Sequence, residues 1–82
     1  MPTFMDVHTL DESVTAADVA AAHKADVKTQ SAYNVDYKHY WVNKEGTKIF
    51  CLVDAPDADT AAKVHKEAHG LVADEIYEVT GE

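Results

Sequence analysis

The sequence predicts an α+β sandwich of order βαββαβ, and three observations carry that expectation. Four segments of strand character alternate with two segments of helical period, and each helical segment is opened by a capping residue. The segment Ile49-Phe50-Cys51-Leu52-Val53 is apolar on both faces, as a central strand must be. The chain has 82 residues, which bounds it to one small domain over residues 1–82.

The first strand is expected over Thr3 to His8. Alternation puts Thr3, Met5 and Val7 on one face and Phe4, Asp6 and His8 on the other. After a polar loop, Thr15 caps a helix, with Asp18 three residues on as in a capping box. That helix is expected to reach about Tyr33, with Asn34 as a left-handed stop. The second strand, Val35 to Asn43, is rich in β-branched and aromatic residues. Lys44-Glu45-Gly46 makes a hairpin turn, with Gly46 supplying a positive φ. The third strand runs from Thr47 to Val53. Pro56 and Asp57 open the second helix, which ends near His69 with Gly70 just beyond. The last strand covers about Ala73 to Val79. This order is the split βαβ of ferredoxin-like folds: an antiparallel sheet whose right-handed crossovers put both helices on one face. Two helices cover one face only. The two-faced apolar strand therefore predicts a homodimer through the remaining sheet face.

Composition narrows the function. Apolar residues make up 46% of the chain, but thirteen of them are alanines, so the core is thin and a partner surface is expected. The net charge of −8 repels phosphate backbones and anionic membranes, and it suits cations. A single Cys excludes an internal disulfide and a zinc cluster built on cysteines. There is no apolar run of membrane length and no secretory signal pattern, so the cytoplasm is the expected compartment. There is no Gly-rich phosphate loop and no nucleophile elbow. The five histidines are the most unusual feature.

Their positions point inward. At about 100° per residue, His23 falls in the least polar stripe of the first helix, with Val19, Ala20 and Val27. His65 and His69 fall at the centre of the alanine stripe of the second, and their i, i+4 spacing lets two imidazoles meet at one metal ion. Alanine neighbours leave room for a ligand. Asp6 and His8 on the first strand and His39 on the second are candidates to complete that site or to form another. Glu67 lies behind both histidines, so His65-Lys66-Glu67-Ala68-His69 is no zinc-protease motif. Cys51 reads as a small core residue, with a soft metal ligand as its alternative role. Tyr37, Tyr40 and Trp41 read as sheet packing. Asp26 and Asp36 read as acidic surface able to supply oxygen ligands.

Four stretches resemble one family: Phe4-Met5-Asp6-Val7-His8, Ala22-His23-Lys24-Ala25-Asp26, Phe50-Cys51-Leu52-Val53-Asp54-Ala55-Pro56, and Ala68-His69-Gly70 through Ile76-Tyr77-Glu78-Val79. It is a family of small actinobacterial ferredoxin-like proteins, a domain family of unknown function described as nickel-binding. The resemblance spans nearly the whole chain. It implies a dimer of ferredoxin-like subunits that binds divalent nickel, for storage or for protection against excess. His8, His23, His65 and His69 match positions recurrent in that family, whereas His39 and Asp6 come from the residues alone. Imidazole chemistry by itself suits nickel, zinc, copper and iron alike.

The leading expectation is thus a non-catalytic protein binding a divalent metal, probed by His8, His23, His39, His65, His69 and Asp6. The alternative is a small dimeric α+β barrel enzyme, an oxygenase or isomerase, acting on a small aromatic substrate held beside His23 and a tyrosine. A third reading is an interaction module whose histidines are structural.

Overall fold

The computed structural model describes residues 1–81. Its elements are β1 (Thr3–Thr9), α1 (Ala16–Gln30), β2 (Asp36–Val42), β3 (Lys48–Asp54), α2 (Ala58–Ala68) and β4 (Glu75–Val79). The four strands form one sheet in the order β2-β3-β1-β4, with every neighbouring pair antiparallel. This is the ferredoxin-like arrangement expected from the element order.

The helix starts follow the sequence closely. Thr15 accepts from the Asp18 N–H, and the Asp18 carboxylate accepts from the Thr15 N–H, so the capping box is complete. Asp57 accepts from the Thr60 N–H at 2.7 Å. The stops differ more. The first helix ends at Gln30 rather than Tyr33, because Ala32 and Tyr33 donate three residues back, to Thr29 and Gln30. That tightened turn leads to Asn34, which takes φ +56° as expected of a left-handed stop. The last strand begins at Glu75, because Asp74 is otherwise engaged. The Asp74 carboxylate accepts from the Thr9 N–H, and its own N–H donates to the Val7 carbonyl.

Strand β2 carries one irregularity that matters for the interior. Tyr37 pairs with Val53 and His39 with Leu52, so Lys38 is an extra, bulged residue. The bulge lets Tyr37 and Tyr40, three residues apart, both face the helices. Strict alternation would separate them.

The core lies between the helices and one sheet face. It gathers Phe4, Val35, Tyr37, Ile49, Cys51 and Val53 from the sheet side and Val19, Ala61 and Val64 from the helices. The opposite face carries Met5, Val7, Phe50 and Leu52, flanked by Trp41 at 48% and Tyr77 at 51% exposure. Among the described residues, nothing covers that face.

Gly46 and Gly70 separate two costs of a positive φ. Both hold φ above +70°. A Cβ on Gly46 would sit 2.5 Å from the Val14 carbonyl oxygen, whereas nothing lies within 4 Å of one on Gly70. Gly70→Ala should therefore cost only the left-handed backbone penalty, about 1–2 kcal/mol. Gly46→Ala should cost clearly more, since the β2–β3 turn must also move. Urea unfolding of the two variants checks the order.

Candidate metal centre

Three elements bring a polar cluster into one end of the sandwich. On β1, Asp6 and His8 share the helix-facing side because they are two residues apart. Cys51 on β3 is the direct cross-strand partner of Asp6. From above, α2 lowers His65 and His69, one turn apart. From α1 comes Asp26. Asp6 and His65 are 1% exposed, Asp26 2% and His8 4%.

His65 is the hub. Its Nδ1 lies 2.8 Å from Asp26 Oδ1, and its Nε2 lies 2.9 Å from Asp6 Oδ2. His69 Nε2 is 3.1 Å from both Asp26 Oδ1 and His65 Nδ1. The Tyr37 hydroxyl donates within reach of Asp6 Oδ2 at 3.2 Å and of the Ala61 carbonyl at 3.0 Å. His8 Nε2 stands 3.2 Å from Asp6 Oδ1 without the alignment of a hydrogen bond, which leaves that oxygen with no partner among the described residues.

Electrostatics follow from this arrangement. Burial opposes a charge on His65, but the Asp26 and Asp6 carboxylates outweigh it and raise the imidazolium pKa to about 11. Burial likewise opposes the Asp6 charge, and the His65 and His8 rings overcome it, holding the carboxyl at about 2. For Asp26, burial is again outweighed, by His65 and His69, and its pKa is lowered. Burial pushes the Cys51 thiol up to about 11. Two buried carboxylates thus face one imidazolium, and the cluster keeps a surplus of negative charge that a cation would neutralise.

The triangle of Asp26 Oδ1, His65 Nδ1 and His69 Nε2, with edges of 2.8, 3.1 and 3.1 Å, has the shape of a metal-binding set. Adjacent ligands of an octahedral ion with bonds of about 2.1 Å are about 3.0 Å apart. A second set, Asp6, His8, Cys51 and His65, brings one ligand atom from each residue within 4.8 Å of the others. The donors fit a borderline divalent ion such as nickel.

Of the residues singled out from sequence, Asp6, His8, His65 and His69 come together. His23 does not join them. Its ring stacks on Tyr40 with centroids 4.7 Å apart, and both line a cavity of about 20 Å³ beside the cluster. His39 does not join them either: it pairs with Leu52 on the sheet face away from the helices, exposed beside Trp41. Asp26, read as surface, is buried. The first helix is turned by about 50° from the stripe centred on His23, so Val27 is 46% exposed while Asp26 points inward. No signal in helix one alone shows this, since the reason is the imidazole pair on the other helix. The cavity has room for about one water molecule and not for an aromatic ring. It gives the alternative of an enzyme on an aromatic substrate no support.

A pH dependence of the metal-free protein follows. The raised pKa of His65 gives stability that is full below about pH 6.5 and is lost as pH climbs toward 11. The lowered pKa of Asp6 gives stability present above about pH 4 and lost as pH falls toward 2. The groups facing His65 are Asp6, Asp26, His8, His69, Cys51 and Tyr37. In chelator, the urea midpoint should fall between pH 6 and pH 7.5, below the range where a free thiol titrates. His65→Gln should flatten the fall. An equal midpoint at both pH values in the parent protein would contradict the assignment.

A family profile described as "Nickel responsive protein SCO4226-like" matches residues 4–79. The crystal structure of SCO4226 from Streptomyces coelicolor A3(2) superposes with a TM-score of 0.89 at 35% identity, covering 98% of each chain. A search of curated proteins finds no match. Among the described residues, no helix is long and apolar enough to cross a membrane. The chain belongs to the SCO4226-like family of nickel-responsive proteins.

Proposed function

We propose that this protein binds a divalent metal ion, nickel, through Asp26, His65 and His69, and acts in the cytoplasm as a non-catalytic sequestering protein. The carrying observation is the near-equilateral donor triangle in a buried, negatively charged cluster. Family membership supports the choice of nickel. In this role His65 offers Nδ1 to the ion and keeps its proton on Nε2, directed at Asp6. A carboxylate behind a ligating imidazole is the usual means of fixing its orientation. His69 contributes Nε2. Its Nδ1 accepts from the Leu71 N–H at 3.2 Å, so binding requires the ring proton to move to Nδ1 and that hydrogen bond to be given up. One proton, from His65, leaves for each ion bound, and the surplus charge of the two carboxylates is cancelled.

The uncovered sheet face supports a homodimer as the working unit. Met5, Val7, Phe50 and Leu52 form an apolar centre that carries no charge, and Trp41 and Tyr77 stand beside it. A second copy presents the same patch, as a twofold interface requires.

Three outcomes are expected. Nickel affinity, measured by calorimetry, should rise about tenfold per pH unit between pH 6.5 and 8.5, because one tightly held proton is displaced. His65→Ala and His69→Ala should each lower it by more than about 100-fold, and the double variant should add little, since the two share one ion. Unchanged affinity in the double variant rejects the site. For the dimer, light scattering should report twice the 9.0 kDa chain mass, and Trp41→Lys with Phe50→Glu should halve it.

A further inference from the structure

We infer that Asp6, His8, Cys51 and His65 form a second metal site, one with a thiolate ligand that takes a borderline ion of low coordination number, zinc or cobalt(II). The residues converge from three elements. Asp6 and Cys51 are cross-strand partners, His8 follows two residues along β1, and His65 descends from α2. All four are buried, and their ligand atoms lie within 4.8 Å of one another.

Cys51 by itself would be a core residue. What makes a ligand of it is the unsatisfied oxygen next to it. Asp6 is 1% exposed, and its Oδ1 has no hydrogen-bond partner among the described residues. A buried carboxylate oxygen without a donor is costly. Here it faces the His8 ring nitrogen at 3.2 Å in a group that also holds a sulfur and a second imidazole. One cation bound by these groups satisfies the oxygen and draws in the thiol as thiolate. The donor set of one sulfur, two nitrogens and one carboxylate oxygen suits four-coordinate zinc or cobalt, whereas the nitrogen–oxygen triangle suits an octahedral ion.

Binding balances as an exchange. The ion takes the place of two protons, one from His65 Nε2 and one from Cys51 Sγ, so the net buried charge is the same before and after. His65 keeps its remaining proton on Nδ1, held by Asp26 at 2.8 Å. A small cavity lined by His8, His23, Tyr40, Cys51 and His69 adjoins the site.

Cobalt(II) titration of the reduced protein is the test. The parent protein should show a sulfur-to-cobalt charge-transfer band in the near ultraviolet and the strong visible bands of a four-coordinate ion. Cys51→Ala should lose the charge-transfer band. His69→Ala, which disables the nickel triangle, should keep it, so failure of that triangle and failure of this site read differently. Absorption fine structure at the cobalt edge of the unmutated protein should show a sulfur neighbour at about 2.3 Å. That measurement depends on no variant folding. No sulfur neighbour, a band that survives in Cys51→Ala, or a band lost in His69→Ala would each overturn the second site.

Discussion

One imidazole held between two carboxylates ties the layers of this protein together. The Asp6–His65–Asp26 bridge joins β1, α2 and α1 through a single side chain that is 1% exposed. Tyr37 adds β2 through its hydroxyl, which meets both Asp6 and the Ala61 carbonyl. In a buried setting such a bridge is demanding. Removing one partner leaves an uncompensated charge, and the penalty exceeds what an exposed ion pair ever contributes. The bridge therefore dictates how α1 sits. The helix turns Asp26 inward and lets Val27 face solvent, against the plain hydrophobic preference of the two residues.

Small residues make room for this arrangement. Ala22 lines the small cavity with Cys51, and Ala58 and Ala61 pack on the apolar core, where larger side chains would fill the space. The consequence is a thin apolar core, centred on Val53, Ala55, Ala61 and Val64, each at 0% exposure. Thin cores leave surface over, and here the surplus lies on the far side of the sheet. There Phe50 and Leu52 on the central strand remain half-buried in a single copy. The polar centre and the apolar outer face are two sides of one limit, the area that 82 residues can enclose.

The order of elements, both helix caps and both glycine turns were legible because each has a local cause. Thr15 and Asp18, Asp57, Gly46 and Gly70 act on neighbours in sequence. The inward aim of Asp6, His8, His65 and His69 was legible too, since strand alternation and helical period are short-range rules. What escaped was long-range. Asp26 looked like surface because its partner is 39 residues away, and polarity alone argues for solvent. The outward aim of His39 was not legible because a single bulge at Lys38 cannot be read from an alternating pattern. Cys51 is the core residue its sequence suggests, and what could not be read is that it stands opposite Asp6, since the register of β1 on β3 sets that pairing.

His65 belongs to both donor sets, and that sharing constrains them. With Nδ1 in the Asp26–His69 triangle, Nε2 carries the proton that Asp6 accepts. With Nε2 in the Cys51 set, Nδ1 carries the proton that Asp26 accepts. Each carboxylate is thus a ligand in one arrangement and the outer hydrogen-bond acceptor in the other. Filling both at once would require His65 to surrender both ring protons, a state that the two flanking carboxylates oppose by the same attraction that raises its pKa. An ion in one set therefore weakens the other, and the proton on His65 decides between them. The octahedral set is the choice of an ion that prefers nitrogen and oxygen, and the thiolate set is the choice of a softer one. On the proposed reading, selection between metals would rest on one ring with two equivalent supports.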